Sequence, residues 1–456
     1  MQACLLLLPL VHGFATIHGQ SLTIECDTTR IQSDLNSPWS IEPLTENQLL
    51  LTERTGTVWR VDVGLGERFE LYTFENVAME GQSGLLGSAV HPNYPEVPEL
   101  FFALTHYDED WNVVLRVDQL LLDTSNETVV EANTIIDGIQ VGPSSIGGRI
   151  FIDNEAYLWL TCGVADNNPL AQDQSSLNGK ILRYNLDGSI PDGQPFPESP
   201  VYTLGHRNPQ GICQSASGVI FTSEHGAFSN DEINSIDVGR NYGWPLASGP
   251  CTASNQNICD EINMKEPLIA WTPNIAPSGM AAFGSELIPM VQSGLLVSSL
   301  AGKSLRLLDL SADESMIEGE YILLEEWVGR IRDVAITPDN RVFIITSNTD
   351  LYGVPEPGDD RLYEITLDVS MDLPLVARED QTLRAYIEAN TLFIQGLPSD
   401  ESASWELYNI SGQRVQGGVI FGGATHSMNR PLSPGTYILR VMTSQMTVSK
   451  KIVVTT

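Results

Sequence analysis

The chain reads as an all-β protein, a six-bladed β-propeller followed by a small β-sandwich. Three observations predict this. A short β-rich run, a polar loop and a returning run recur in six copies, helical periodicity is almost absent, and the repeat stops near residue 370. The copies are residues 47–62 (NQLLLTERTGTVWRVD), 98–120 (PELFFALTHYDEDWNVVLRVDQL) and 155–187 (EAYLWLTCG, then GKILRYNLD). The others are 218–238 (GVIFTSEHG, then DEINSIDV), 293–309 (SGLLVSSLAGKSLRLLD) and 340–368 (NRVFIITSN, then DRLYEITLD). Units of this size cannot bury their own faces, so they must stack on one another as propeller blades do. A pair of β-sandwiches is the competing arrangement. The count of six, and the loop after each first strand, favour the propeller, whose inner-strand ends open on a central channel.

Residues 1–19 have the features of a secretory signal. The run 3–11 is apolar but too short to span a bilayer, and small residues follow at Gly13, Ala15 and Gly19. Residues 20–370 are assigned to the propeller. Residues 371–384 read as a join, and 371–456 as the C-terminal domain, with alternating runs such as TLFIQGL and SWELYNISGQRV. No later stretch is apolar for 18 residues, so no membrane span is expected.

Lys and Arg total 24 against 58 Asp and Glu, a formal charge of −34. A phosphate backbone or an anionic membrane surface would be repelled, which excludes nucleic acid as a partner. Beyond the leader the cysteines are Cys26, Cys162, Cys213, Cys251 and Cys259. Cys251 and Cys259 flank a polar loop and are expected to form a disulfide, and the odd total leaves at least one thiol unpaired within the chain. No CxxC or His/Cys spacing points to zinc, and no CxxCH run is present for a covalent haem.

The chemistry concentrates in residues 205–245, GHRNPQGICQSASGVIFTSEHGAFSNDEINSIDVGRNYGWP. Arg207 and Asn208 can form a fork for a planar anion. The turn EHGAFSNDE carries hard oxygen ligands of the kind calcium takes, with Gly226 letting a backbone carbonyl approach an ion closely. An aromatic corner, NYGWP, follows.

With GQSGLLG (81–87), the His91-Pro92 pair, IGGR (146–149), LNGKILRYNLDGSIP (177–191), WTPNIAPSGMA (271–281) and GRIRDV (329–334), the chain resembles the soluble glucose/sorbosone dehydrogenases that use pyrroloquinoline quinone. The tail, through LYNISGQRV, LSPGTYILRV and KKIVV, resembles the C-terminal sorting domain of the type IX secretion system. The first resemblance implies oxidation of the C1 hydroxyl of an aldose or related sugar, with the quinone and calcium as cofactors and an external electron acceptor. The second implies a secreted or cell-surface protein whose tail is read by the secretion machinery.

Carried over residue by residue, Gln82, Arg207, Asn208, Arg330 and Arg332 match the quinone-binding shell, and His225 lines the cofactor. The backbone carbonyls of Gly226 and Ala227 match the cofactor calcium site. Asp231, Glu232 and the Tyr242 carbonyl look like a second, structural calcium site. The family's channel lysine falls at Ala301, so Lys303, two residues on, is the substitute. Arg149 closes the HxGGR-type motif, but the general-base histidine four residues earlier is Ser145 here, and the acidic substrate contact is Val164, with Asp166 two residues later. A serine cannot accept a proton near neutral pH without a base beside it. Of the remaining histidines, His106 could reach the channel mouth, while His91, His206 and His426 read as structural. Three readings follow. The chain is a sugar dehydrogenase; or a decayed propeller that binds carbohydrate or cofactor without turnover; or an oxidoreductase on another alcohol with Asp166 as base.

Overall fold

The computed structural model describes residues 13–17, 20–125, 127–372, 384–388, 391–395, 402–409, 414–421, 425–427, 432–442 and 447–454. Of the expected leader, only Gly13–Ile17 is described, as a strand at the edge of a sheet beside Gln20–Gln32. The join falls mostly outside the described residues. Residues 24–368 form one compact unit, and the described residues of 14–23 and 369–456 a second.

The first unit is a six-bladed propeller. Five blades are four-stranded antiparallel meanders of consecutive strands, beginning with Pro38–Pro43, Leu85–Val90, Gly147–Ile152, Pro209–Gln214 and Pro277–Gly284. The sixth runs Ile331–Ile336, Val342–Thr346 and Leu362–Asp372, then takes Gln20–Gln32 from the other end of the chain. The six innermost strands neighbour one another in a closed ring. Ring closure covers the apolar faces that the first and last sheets of an open stack would otherwise expose, leaving only short sheet edges.

Strand alternation builds the core between blades. In Gln48–Glu53, Leu49 and Leu51 pack toward the sixth blade with Phe343 and Ile345, while Leu50 packs toward the second with Leu100 and Phe102. Phe101 and Ala103 then meet Leu158 and Leu160 of the third blade. The apolar run of each second strand, such as residues 49–51 or 101–104, is buried on both faces because a neighbouring blade covers each. A fully buried Leu or Phe contributes about 1.5–3 kcal/mol, so these interfaces supply most of the drive to close.

The six repeats recognised in the sequence are the second and third strands of the blades. The innermost strands escaped that pattern because polar side chains interrupt them. Ser40, Ser88, Arg149, Gln210 and Arg332 are buried there; the first four bond across neighbouring inner strands, and Arg332 donates to Ser347 beyond the second strand of its own blade. The expected Cys251–Cys259 disulfide is formed, and Cys26, Cys162 and Cys213 are free.

In the second unit, Ser402–Asn409, Arg414–Phe421, Gly435–Met442 and Thr447–Val454 form one sheet, and Arg384–Glu388, Thr391–Gln395 and Thr425–Ser427 another. Its core holds Leu392, Trp405, Leu407, Leu439 and Val441. No helix among the described residues is long and apolar enough to cross a membrane.

Candidate active site

The loops that enter the innermost strands converge on a cavity of about 410 Å³, within the usual range for a small-molecule site. Arg54, Arg207, Arg330 and Arg332 line it, against one lining carboxylate, Asp350. Four guanidiniums around one space, in a chain of formal charge −34, make a local trap for a polyanion.

Each arginine is held by its neighbours. Arg54, just after the second strand of the first blade, donates to the Gly81 carbonyl at 2.7 Å and the Ser83 carbonyl at 2.6 Å. The turn so held presents Gln82, whose side-chain oxygen accepts from the Ser145 N–H at 3.0 Å. Gly81 is required there: its φ is +55°, and a Cβ would stand 2.1 Å from the Pro143 carbonyl oxygen. Arg207 donates to the His225 carbonyl at 3.1 Å and the Gly226 carbonyl at 2.9 Å, with Trp244 stacked against it. Arg330 and Arg332, in the GRIRDV run, share one oxygen of Asp350 at 2.9 and 3.2 Å. Burial would raise the Asp350 pKa, but Arg332 and Arg330 outweigh it and hold the group below the usual carboxylate range.

His225 is a cavity residue, but not a base. Its Nε2 donates to the Pro277 carbonyl at 2.9 Å, and burial, followed by the Arg332 charge, pushes its pKa down to about 3. Its Nδ1 faces the Asn208 amide at 3.5 Å. The other described histidines are engaged elsewhere. His106 pairs with Asp137 at 2.7 Å, and His206 lies between Thr203 and Glu224, both at 2.9 Å. The side chain of His426 lies outside the described residues.

Gln82, Ser145, Arg207, Asn208, His225, Gly226, Ala227, Arg330 and Arg332 therefore all line the cavity, and the other predicted site residues do not. Arg149 lies behind the wall, pairing with Asp333 at 2.7 Å and stacked on Trp39. Lys303 pairs with Glu326 at the surface, while Ala301 lines the cavity. Asp166 sits one residue back, holding Ser144, which does line it.

Asp231 and Glu232 part company because adjacent strand residues face opposite ways. Asp231 caps the Gly226 turn, accepting the N–H groups of Gly226 at 2.8 Å and of Ile275 and Ala276 at 2.7 Å each. Glu232 instead faces Glu224 directly across the strand pair, around a small cavity of about 10 Å³ that Tyr242 also lines. Burial first, and then the Glu224 charge, raise the Glu232 pKa. Two facing carboxylates in space for a single small ligand fit a hard cation, with Glu224 in place of Asp231. Among the described residues no three His, Cys, Asp or Glu side chains cluster as a metal set, so backbone oxygens would have to complete this one. At the Gly226 and Ala227 turn, the Gly226 carbonyl is shared by Arg207 and Asn274, so an ion there would compete with two donors.

Sequence reasoning missed Arg54, Trp39, Asp350 and Ser144. No local motif marks Arg54 or Trp39. Asp350 lies in a loop, and its role appears only when Arg330 and Arg332 come beside it. Glu224 stood in the FTSEHG run, where a carboxylate ending a strand beside a turn was the available signal.

Comparison with known proteins follows the same outline. Residues 35–352 match the glucose/sorbosone dehydrogenase family model, and residues 388–455 match the secretion system C-terminal sorting domain. The PQQ-bound aldose sugar dehydrogenase of Streptomyces coelicolor is 32% identical, with 76% of this chain and 98% of that one covered and a TM-score of 0.67. The aldose sugar dehydrogenase YliI of Escherichia coli is 28% identical over 358 residues, 75% of this chain and 95% of the relative. The quinoprotein glucose dehydrogenase B of Acinetobacter calcoaceticus is 27% identical over 409 residues, 71% of this chain and 85% of the relative.

Proposed function

Because the chain belongs to the glucose/sorbosone dehydrogenase family and carries a sorting domain for export by type IX secretion, we propose that it is an exported quinoprotein oxidising the C1 hydroxyl of an aldose or related sugar. The convergence of Arg54, Arg207, Arg330 and Arg332 on one cavity carries this reading. Pyrroloquinoline quinone is a planar tricarboxylate, and a set of guanidinium forks suits its carboxylates better than point charges would. Its relatives support the same cofactor, since one is a PQQ-bound aldose sugar dehydrogenase and another a quinoprotein.

In this reading the four arginines hold the cofactor, Gln82 and Asn208 orient it, and neutral His225 packs beside it. When bound, the quinone supplies a two-electron acceptor for the sugar's C1 hydrogen. Calcium at the Gly226 and Ala227 carbonyls would polarise that acceptor, and a second ion between Glu224 and Glu232 would stabilise the turn behind Arg207. Electrons then pass to an external acceptor.

A spectroscopic titration with quinone and calcium, followed by dye-linked oxidation of an aldose panel, tests this. Saturable binding and turnover, both lost in Arg207→Ala, are expected; absence of binding would overturn the assignment. The second reading, a propeller that binds without turnover, is favoured by Ser145 standing where the family has its histidine and by His225 having both ring nitrogens engaged. Tight quinone binding with no aldose oxidised would replace the first reading by the second.

A further inference from the structure

We propose that Ser144 and Asp166 form a proton relay that takes the proton of the sugar's C1 hydroxyl from the cavity to solvent; the proposal rests on the sugar-oxidation reading. The Ser144 hydroxyl donates to Asp166 Oδ1, and the Ser144 N–H to Asp166 Oδ2 at 3.0 Å. Ser144 lines the cavity and is half-buried, whereas Asp166 is exposed. One group faces the substrate space and the other faces water.

The two loops that carry them are locked together. The Ala165 N–H donates to the Ser145 carbonyl at 3.0 Å, and the Gly163 N–H to the Ile146 carbonyl at 2.9 Å. A Cβ at Gly163 would stand 1.9 Å from the Ser145 oxygen, so the backbones are in direct contact. Ser145, Ala165 and Asp166 have φ of 54°, 51° and 61°, a left-handed geometry that costs non-glycine residues free energy. Such strain persists where the surroundings over-determine it, most often at functional sites. Its result here is that Asp166 backs Ser144. Ser145 contributes its backbone to Gln82 and Ala165.

A hydroxyl both accepts and donates, so it can pass a proton, and Asp166 supplies the base that a lone serine lacks. The step balances. The C1 O–H bond breaks toward Ser144 Oγ as the Ser144 proton moves to Asp166 Oδ1, and the C1 hydrogen leaves with its electron pair to the quinone. The sugar becomes a lactone, and Asp166 returns its proton to water. Of the other cavity groups, Asp350 holds two arginines, and the His225 ring nitrogens face the Pro277 carbonyl and the Asn208 amide.

The test compares wild type, Asp166→Asn, Asp166→Glu, Ser144→Ala and Ser144→Thr, each loaded with quinone and calcium. Quinone affinity is read by absorbance titration, cofactor reduction by stopped flow, and carboxyl protonation by infrared difference spectroscopy in a single turnover. Asp166→Asn and Ser144→Ala should lose about 100-fold or more in the reduction rate at near-unchanged quinone affinity, with Ser144→Thr retaining most of it. A protonated-carboxyl band should appear in wild type and be absent from Asp166→Asn. Unchanged rates in either variant, or a band that persists in Asp166→Asn, would overturn the relay while leaving sugar oxidation standing. Loss of quinone binding in both Asp166 variants would show a structural role and also overturn it. A wild type that binds quinone but oxidises no aldose removes the parent reading and the relay with it.

Discussion

Arg54 shows how one side chain can join cofactor binding to backbone geometry. It lines the cavity and also bridges the Gly81 and Ser83 carbonyls, a span that suits a planar fork and not an ammonium. Arg54→Ala should weaken quinone binding by about 10-fold or more in an absorbance titration, and Arg54→Lys should recover little of it. His225 makes a different prediction. Its pKa falls from 6.5 to about 3 on folding, so the unfolded chain binds the proton more tightly. That contribution to stability is complete above pH 6.5 and is lost as pH falls toward 3. In chemical denaturation of the cofactor-free protein, the loss between pH 7 and pH 5 attributable to this group should be on the order of 2 kcal/mol, and His225→Gln should flatten the slope.

At the level of strands and turns, Ile220–Glu224 and Asp231–Ser235 set Glu224 opposite Glu232, and nothing local announces that pairing. Without a cation, the raised Glu232 pKa favours folding below its ordinary value of 4.5, and that contribution is lost as pH rises. Calcium should therefore raise the melting temperature more at pH 8 than at pH 4, and Glu232→Gln should abolish the difference. An equal calcium effect in the variant would move the ion elsewhere. The disulfide belongs to this scale as well. With a sequence separation of 8 between Cys251 and Cys259, its removal by Cys251→Ser together with Cys259→Ser should cost about 2–3 kcal/mol in a denaturant titration.

For the propeller as a whole, the sixth blade closes only because Gln20–Gln32 joins Leu362–Asp372 from the opposite end of the sequence. Deleting residues 20–32 would uncover a strand edge and should lower stability by more than about 4 kcal/mol in guanidinium unfolding, beyond an ordinary single-residue loss. The blades were legible in advance because their second strands are apolar on both faces, as the run Leu49, Leu50, Leu51 records. The sorting tail and the arginines of GHRNPQG and GRIRDV were legible too, since each lies in a continuous motif. Arg54, Asp350 and Glu224 were not, because their partners sit on other blades or across a strand pair. Local order along the chain thus determined the repeat, the family and most of the anion-binding wall. The tertiary structure alone decided that Asp231 caps a turn instead of joining Glu232, and that Asp166 stands behind Ser144. The physical reason is that strand register and the docking of one loop on another set which side chains face one another, and neither can be read from the types of the residues beside them in the chain.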